Sequence, residues 1–176
     1  VCSRAGEVST GFSAFRIDTG TDSQELASFT WDRGGVKISK VDAEAGSSEQ
    51  GDASLEGAEF AIVNASGMNS FVGGHSYADG EAVMTISTTW DGSAYTAQTA
   101  ANALPYGTYD VRETATNGSY LLTDGEPRTF EVRTGGEIVS ASADGAALEF
   151  RDQVVRNDLE LSKKSESDNA GLMVPF

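Results

Sequence analysis

Residues 35–42 read Gly-Val-Lys-Ile-Ser-Lys-Val-Asp, and this stretch decides the fold that the sequence predicts. Its alternation is that of a β-strand, because side chains two positions apart share one face. Val36, Ile38 and Lys40 lie on one face, and Lys37 lies on the other. Lys40 is therefore predicted to point into a core beside two β-branched residues. A buried lysine is costly unless it is paired or chemically changed.

Three later stretches follow in a fixed order. Residues 55–62 read Leu-Glu-Gly-Ala-Glu-Phe-Ala-Ile, residues 104–114 read Leu-Pro-Tyr-Gly-Thr-Tyr-Asp-Val-Arg-Glu-Thr, and residues 148–153 read Leu-Glu-Phe-Arg-Asp-Gln. With the lysine strand, they resemble the Cna-type B-domain, also called the SpaA-like pilin domain, of Gram-positive surface proteins. That family has a strand with Lys, then Leu-x-Gly-Ala-x-Phe, then Pro-x-Gly-x-Tyr-x-x-x-Glu, then a last strand with Asn or Asp. The resemblance extends over about residues 35–155.

The resemblance implies a self-made crosslink. Lys40 would form an intramolecular isopeptide bond with Asp152, and Glu113 would assist as a proton shuttle. The chemistry is reasonable for buried groups, since a neutral amine is nucleophilic and a protonated acid is a better electrophile than a carboxylate. This chain has Asp where many relatives have Asn, so water would leave instead of ammonia. Residues 114–120 read Thr-Ala-Thr-Asn-Gly-Ser-Tyr where the family usually has Ala-Pro-x-Gly-Tyr.

Each of the three roles has an alternative in the sequence. Lys40 would face solvent if the register slipped by one residue, which would turn Lys37 inward. The remaining alternatives are an ordinary ion pair of Glu113 with Arg112 or Lys40, and a solvent-facing Asp152 with Asn157 or Asp158 as the true partner.

Composition narrows the function. Short runs of Val, Thr, Ser and aromatic residues between Gly, Asp and Asn indicate an all-β fold, a two-sheet Ig-like (prealbumin-like) sandwich of about seven strands. The net charge of −15 argues against nucleic-acid binding. Cys2 is the only cysteine and His75 the only histidine, so neither an internal disulfide nor a Cys–His or Ser–His–Asp enzyme is predicted. We expect no metal, no cofactor and no turnover.

The chain is predicted to contain one complete domain with flanking pieces. Residues 1–34 are interpreted as the tail of a preceding module or an extra edge strand, and residues 35–156 as the β-sandwich. Residues 157–176 repeat the opening pattern, with Lys163 matching Lys40, and are interpreted as the truncated start of a second repeat.

These observations predict a structural stalk module of a cell-wall-anchored bacterial adhesin or pilin-like protein. It would be extracellular, on the cell surface, anchored by a segment outside this sequence, and its partners would be neighbouring repeats of the same chain. No stretch is apolar and long enough to insert into a membrane. The alternative is a ligand-binding adhesin module that recognises a host protein or glycan through the loop at residues 65–80, which contains Phe71, His75 and Tyr77.

Overall fold

The lysine strand lies at the centre of the larger sheet. The computed structural model describes the backbone of residues 2–3, 15–18 and 23–27 and all of residues 32–156. Strand β4 (Arg33–Asp42) pairs in parallel with β16 (Glu149–Val154) and antiparallel with β10 (Tyr95–Gln98). The sheet order is β13 (Tyr120–Leu121), β16, β4, β10 and β9 (Thr89–Trp90), with β11 (Leu104–Pro105) and β15 (Ile138–Val139) also paired to β4.

The second sheet is antiparallel throughout. Its order is β14 (Arg128–Val132), β12 (Gly107–Ala115), β5 (Glu59–Asn64) and β8 (Ala82–Ser87). The core between the two sheets consists of apolar side chains that are almost fully shielded from solvent. They are Val36, Ile38, Ala58, Phe60, Ile62, Val72, Val83, Ala97, Leu104, Tyr109, Val111, Phe130, Val132, Leu148 and Phe150.

The prediction of an all-β, two-sheet sandwich is confirmed. The described residues contain no α-helix, and strands fill both layers. The larger sheet alone has seven strands, so the predicted total of about seven is too low. The undercount arises because several strands have only two residues, too few for alternation to be visible in a sequence.

A small hairpin corrects the prediction of a loop at residues 65–80. Strands β6 (Ser70–Val72) and β7 (His75–Tyr77) pair antiparallel within it. Gly73 and Gly74 join them with φ angles of 57° and 87°. Two successive positive φ angles form the two-residue turn that suits a tight hairpin, and glycine adopts them without steric cost.

The flanking segments are described only in part. Within residues 1–34, strands β1 (Cys2–Ser3), β2 (Phe15–Asp18) and β3 (Ser23–Ala27) form an antiparallel sheet of their own. The predicted second repeat at residues 157–176 lies outside the described residues. In the part of the chain that the structure covers, no helix is long and apolar enough to cross a membrane.

Candidate functional site

The side chain of Lys40 lies inside the sandwich. It follows Val36 and Ile38 along the inward face of β4, and its exposed fraction is 1%. Lys37, on the other face, pairs with Asp91 at the surface, with 2.9 Å between Nζ and Oδ2. The register is therefore the one in which Lys40, and not Lys37, points inward.

Glu113 reaches Lys40 from the opposite sheet. It lies on β12, where the pairing with β5 shifts register between Glu113 and Ala115. Its exposed fraction is 3%, and Lys40 Nζ donates a hydrogen bond of 2.6 Å to Glu113 Oε2. Glu113 Oε1 is buried and accepts no hydrogen bond from any described residue. Because the two groups come from different sheets, their contact forms only when the sandwich closes.

Asp152 reaches the same amine from the neighbouring strand. In the parallel pairing of β16 with β4, Phe150 lies opposite Lys40 and Asp152 lies two residues further along the same face. Asp152 is completely buried, and its Oδ2 lies 2.7 Å from Lys40 Nζ. Its other oxygen, Oδ1, accepts hydrogen bonds from residues 123–124. The structure thus brings together the three side chains that the sequence singled out.

Aromatic rings exclude water from this cluster. Phe60 lies opposite Glu113 in the pairing of β5 with β12, and its ring meets that of Phe150 edge-to-face, with centroids 4.9 Å apart. The guanidinium of Arg128 covers Phe150, with its carbon 3.9 Å from the ring centroid. The amine and the two acids are therefore enclosed by apolar surface, where ionisation is penalised and electrostatic interactions are strong.

Burial raises the pKa of Glu113 to about 7. Lys40 opposes this shift because its hydrogen bond and positive charge favour the carboxylate, whereas the negative charge of Asp152 adds to the shift. One ammonium cannot neutralise two carboxylates. A proton on Glu113 leaves the cluster electrically neutral, so this acid is held near the point at which it can either give or take a proton.

Asp42, with its hydrogen-bond partner Tyr120, escaped the sequence analysis. Asp42 is buried, and its carboxylate accepts hydrogen bonds from the backbone N–H groups of Glu44 and Ala45, from Gln50 and from the hydroxyl of Tyr120. These hydrogen bonds lower the pKa of Asp42 in spite of its burial. A signal was available, since Asp42 follows Lys40 by two positions and so belongs to the same face of β4.

The remaining candidates do not join the cluster. His75 is exposed at the start of β7. Arg112 is exposed, and Glu113 pairs with Lys40. Asn157 and Asp158 lie outside the described residues. Among residues 32–156 and the described backbone before them, no group of His, Cys, Asp and Glu could hold a metal ion.

Comparison with protein families identifies a matching domain. The model of the SpaA prealbumin-like fold domain matches residues 34–146. Lys40 and Glu113 lie inside the matched region, and Asp152 lies beyond its end. No curated protein matches the chain.

Several solved structures are similar to the chain, including the following three. The Bacillus anthracis TIE protein is 21% identical, with a TM-score of 0.42, over 81% of this chain and 23% of that one. The group B streptococcus pilus 2b backbone protein is 23% identical, with a TM-score of 0.38, over 80% and 46% of the two chains. The full-length major pilin RrgB from Streptococcus pneumoniae is 13% identical, with a TM-score of 0.43, over 85% and 38%. The chain therefore spans less than half the length of each of these structures.

Proposed function

Because the chain belongs to the family of SpaA prealbumin-like fold domains, we propose that it is a structural stalk module of a Gram-positive cell-surface protein, stapled by an isopeptide bond between Lys40 and Asp152. One observation carries this proposal. A fully buried amine lies within 2.7 Å of two buried carboxylates, on strands that are far apart in sequence. Such a cluster is a poor source of stability as an ion pair, because the cost of removing its charged groups from water can exceed the return from their attraction unless every group is satisfied.

Condensation removes this cost. The Lys40 amine attacks Asp152 Cγ, the new C–N bond forms, and Oδ2 leaves as water. Protonated Glu113 delivers two protons in turn to Oδ2 and takes two from the Lys40 nitrogen, one before the attack and one after it, so it is unchanged at the end. The ammonium and the carboxylate are replaced by a neutral amide, and no external reagent is consumed. The fold supplies the orientation, which can lower a barrier by roughly 7–11 kcal/mol.

A stalk role follows from where the bond would lie. It would tie β4, the first strand of residues 32–156, to β16, the last. We place the module outside the cell, in a protein that another segment anchors to the wall, with neighbouring repeats as its partners. The domain would catalyse only its own crosslink and have no turnover.

Intact-mass measurement tests the proposal. The purified chain should be lighter than its sequence by one water, and proteolysis followed by tandem mass spectrometry should yield a branched peptide joining Lys40 to Asp152. Lys40→Met should restore the full mass, and Lys37→Met, on the opposite face of the same strand, should leave the deficit in place. A wild-type chain of full mass would refute the crosslink while leaving the fold assignment intact.

A second candidate function is favoured by apolar exposure beside the hairpin. Met68 and Phe71 are 70% and 46% exposed. Phe71 lies on β6, and His75 and Tyr77 lie on its paired strand β7. Loops and hairpins on a rigid sandwich often bind ligands. Arrays of host proteins and glycans test this function. If the array captures the wild-type chain and either Phe71→Ser or Tyr77→Ala abolishes that capture, binding is supported. If neither substitution changes the capture, binding through this hairpin is opposed.

A further inference from the structure

The segment after β13 directs three hydrogen-bond donors at one oxygen of Asp152. The backbone N–H of Thr123 donates to Asp152 Oδ1 at 2.8 Å, and that of Asp124 donates to it at 3.0 Å. The Thr123 hydroxyl donates to the same atom, also at 3.0 Å. Asp42 Oδ1 also accepts three hydrogen bonds, so what sets Asp152 apart is that its second oxygen contacts the Lys40 amine.

The two oxygens of Asp152 have different environments. Oδ1 faces residues 123–124 and their three donors, whereas Oδ2 faces Lys40 Nζ at 2.7 Å. Within the described part of the chain, Oδ2 accepts no further hydrogen bond that would hold it. The structure therefore distinguishes an oxygen that is fixed from an oxygen that is free to leave.

We propose that Thr123, with the backbone N–H groups of residues 123 and 124, forms an oxyanion-binding site for the tetrahedral intermediate of amide formation at Asp152. The proposal rests on the self-crosslinking function and adds a catalytic residue to it. When Lys40 Nζ attacks Cγ, the electron pair of the C=O bond moves onto Oδ1, which becomes the oxyanion. When the intermediate collapses, that pair returns to form the amide carbonyl, and Oδ2 departs as water with protons carried through Glu113. Donors already in place at Oδ1 stabilise the charge as it develops.

Other contacts hold the donor segment rigid. The carboxylate of Asp124 accepts a hydrogen bond of 2.7 Å from Arg128 and one of 2.9 Å from the backbone N–H of Arg151. Arg151 precedes Asp152 on β16, so the segment is tied to the strand that carries the electrophile. The guanidinium of Arg128 is fixed in turn against the ring of Phe150. Preorganisation of this kind is what an oxyanion site requires, because donors that had to move would lose part of their effect.

The experiment follows bond formation in time. The full chain is made by cell-free translation, and synthesis is then stopped. Aliquots are quenched in denaturant at successive times, and intact-mass spectrometry measures the fraction of the chain that has lost one water. Thr123→Val keeps the shape and removes the hydroxyl, and Thr123→Ser keeps the hydroxyl and removes the methyl group. Thr129→Val is the matched control, since the Thr129 hydroxyl donates to Asp110 on the exposed surface of the second sheet.

Loss of one oxyanion donor slows an acyl-transfer enzyme by about 100- to 1000-fold, and here two backbone donors remain, so we expect Thr123→Val to slow the reaction by about tenfold or more. Thr123→Ser and Thr129→Val should react at close to the wild-type rate. A slow Thr123→Val chain that still reaches the wild-type endpoint shows that the fold is intact. If Thr123→Val never reacts, the rate of Thr123→Ser is the deciding measurement. Bond formation at close to the wild-type rate in Thr123→Ser supports the role of the hydroxyl, and slow bond formation overturns it.

Two results separate this proposal from the crosslink itself. A Thr123→Val chain that reacts at the wild-type rate overturns the oxyanion site and leaves the crosslink standing. A wild-type chain that never loses water overturns both.

Discussion

Replacing Glu113 with Gln isolates the contribution of the covalent bond. Glutamine has the shape of a protonated glutamate, so the packing against Phe60 and the contact with Lys40 should survive. It cannot relay a proton between the attacking amine and the leaving oxygen, and the bond should not form. Lys40 and Asp152 then remain as a buried ion pair with no net charge. We therefore expect a folded protein of full mass.

The expected loss of stability follows from loop closure. A bond between Lys40 and Asp152 closes a loop of roughly 100 residues, and a crosslink of that span stabilises a fold by about 4–5 kcal/mol in the chain-entropy model. For a domain of this size, 1 kcal/mol corresponds to about 3–5 °C in melting temperature, so the Glu113→Gln variant should melt roughly 10–25 °C lower. The comparison belongs at pH 6. Burial raises the pKa of Glu113 to about 7, so below that pH the native acid is mostly protonated and Gln is a close substitute for it.

Calorimetric melting combined with intact mass provides the assay. Glu149→Gln is the matched control, because it makes the same chemical change in a partly exposed residue that pairs with Arg151 at the surface, where ion pairs contribute about 0–1 kcal/mol. The control should keep both the mass deficit of one water and the wild-type melting temperature. The reasoning is refuted if Glu113→Gln retains the deficit, or if it loses the deficit without losing stability.

Four further predictions follow from the same geometry. Asp152→Asn should crosslink with loss of ammonia instead of water, because the three donors at residues 123–124 hold the remaining oxygen; an intact mass without any deficit would contradict this. The rate of bond formation should fall as pH rises above about 7, because the raised pKa of Glu113 means that its proton is lost there; a quenched time course from pH 6 to 9 that accelerates instead would oppose the proton-donor role. Tyr120→Phe removes the 3.0 Å hydrogen bond to buried Asp42, so the free energy of unfolding measured by urea denaturation should fall by about 1–2 kcal/mol. The crosslink should still form. Under force, the wild-type chain should extend about 350–400 Å less than Glu113→Gln, since residues 40–152 cannot unravel, and equal extensions in a single-molecule measurement would argue against the bond.

The face of the strand on which each side chain lies could be predicted from the sequence, because this alternation depends only on residues that are neighbours in the chain. Val36, Ile38 and Lys40 share a face in any β-strand, so the inward direction of Lys40 followed from period two alone. The same held for Phe150 and Asp152 on the last strand. Their meeting with Glu113 came from the order of the family motifs, because nothing local in the sequence states which strands become neighbours.

The oxyanion donors could not have been predicted in this way. Thr123 and Asp124 lie in an irregular segment, and two of the three donors are backbone N–H groups, which every residue except proline possesses. Their direction is set by tertiary contacts of Asp124 with Arg128 and Arg151, which no periodicity encodes. The hairpin at residues 70–77 was missed for a related reason: its strands have three residues each, so that only the Gly73-Gly74 turn marks it.

The proposed bond lies where a module under tension would need it. Force applied across residues 32–156 enters through β4 and leaves through β16, and these strands are parallel neighbours whose register pairs only Ser39–Asp42 with Glu149–Asp152. Without a covalent tie, this short run of hydrogen bonds would carry the load in shear. A bond from Lys40 to Asp152 lies within that run, so tension would pass through the amide and bypass the sandwich. Glu113 lies on β12, off this path, and is needed only while the bond is made. Its substitution should therefore abolish the mechanical strength of the module without touching any residue that carries the load.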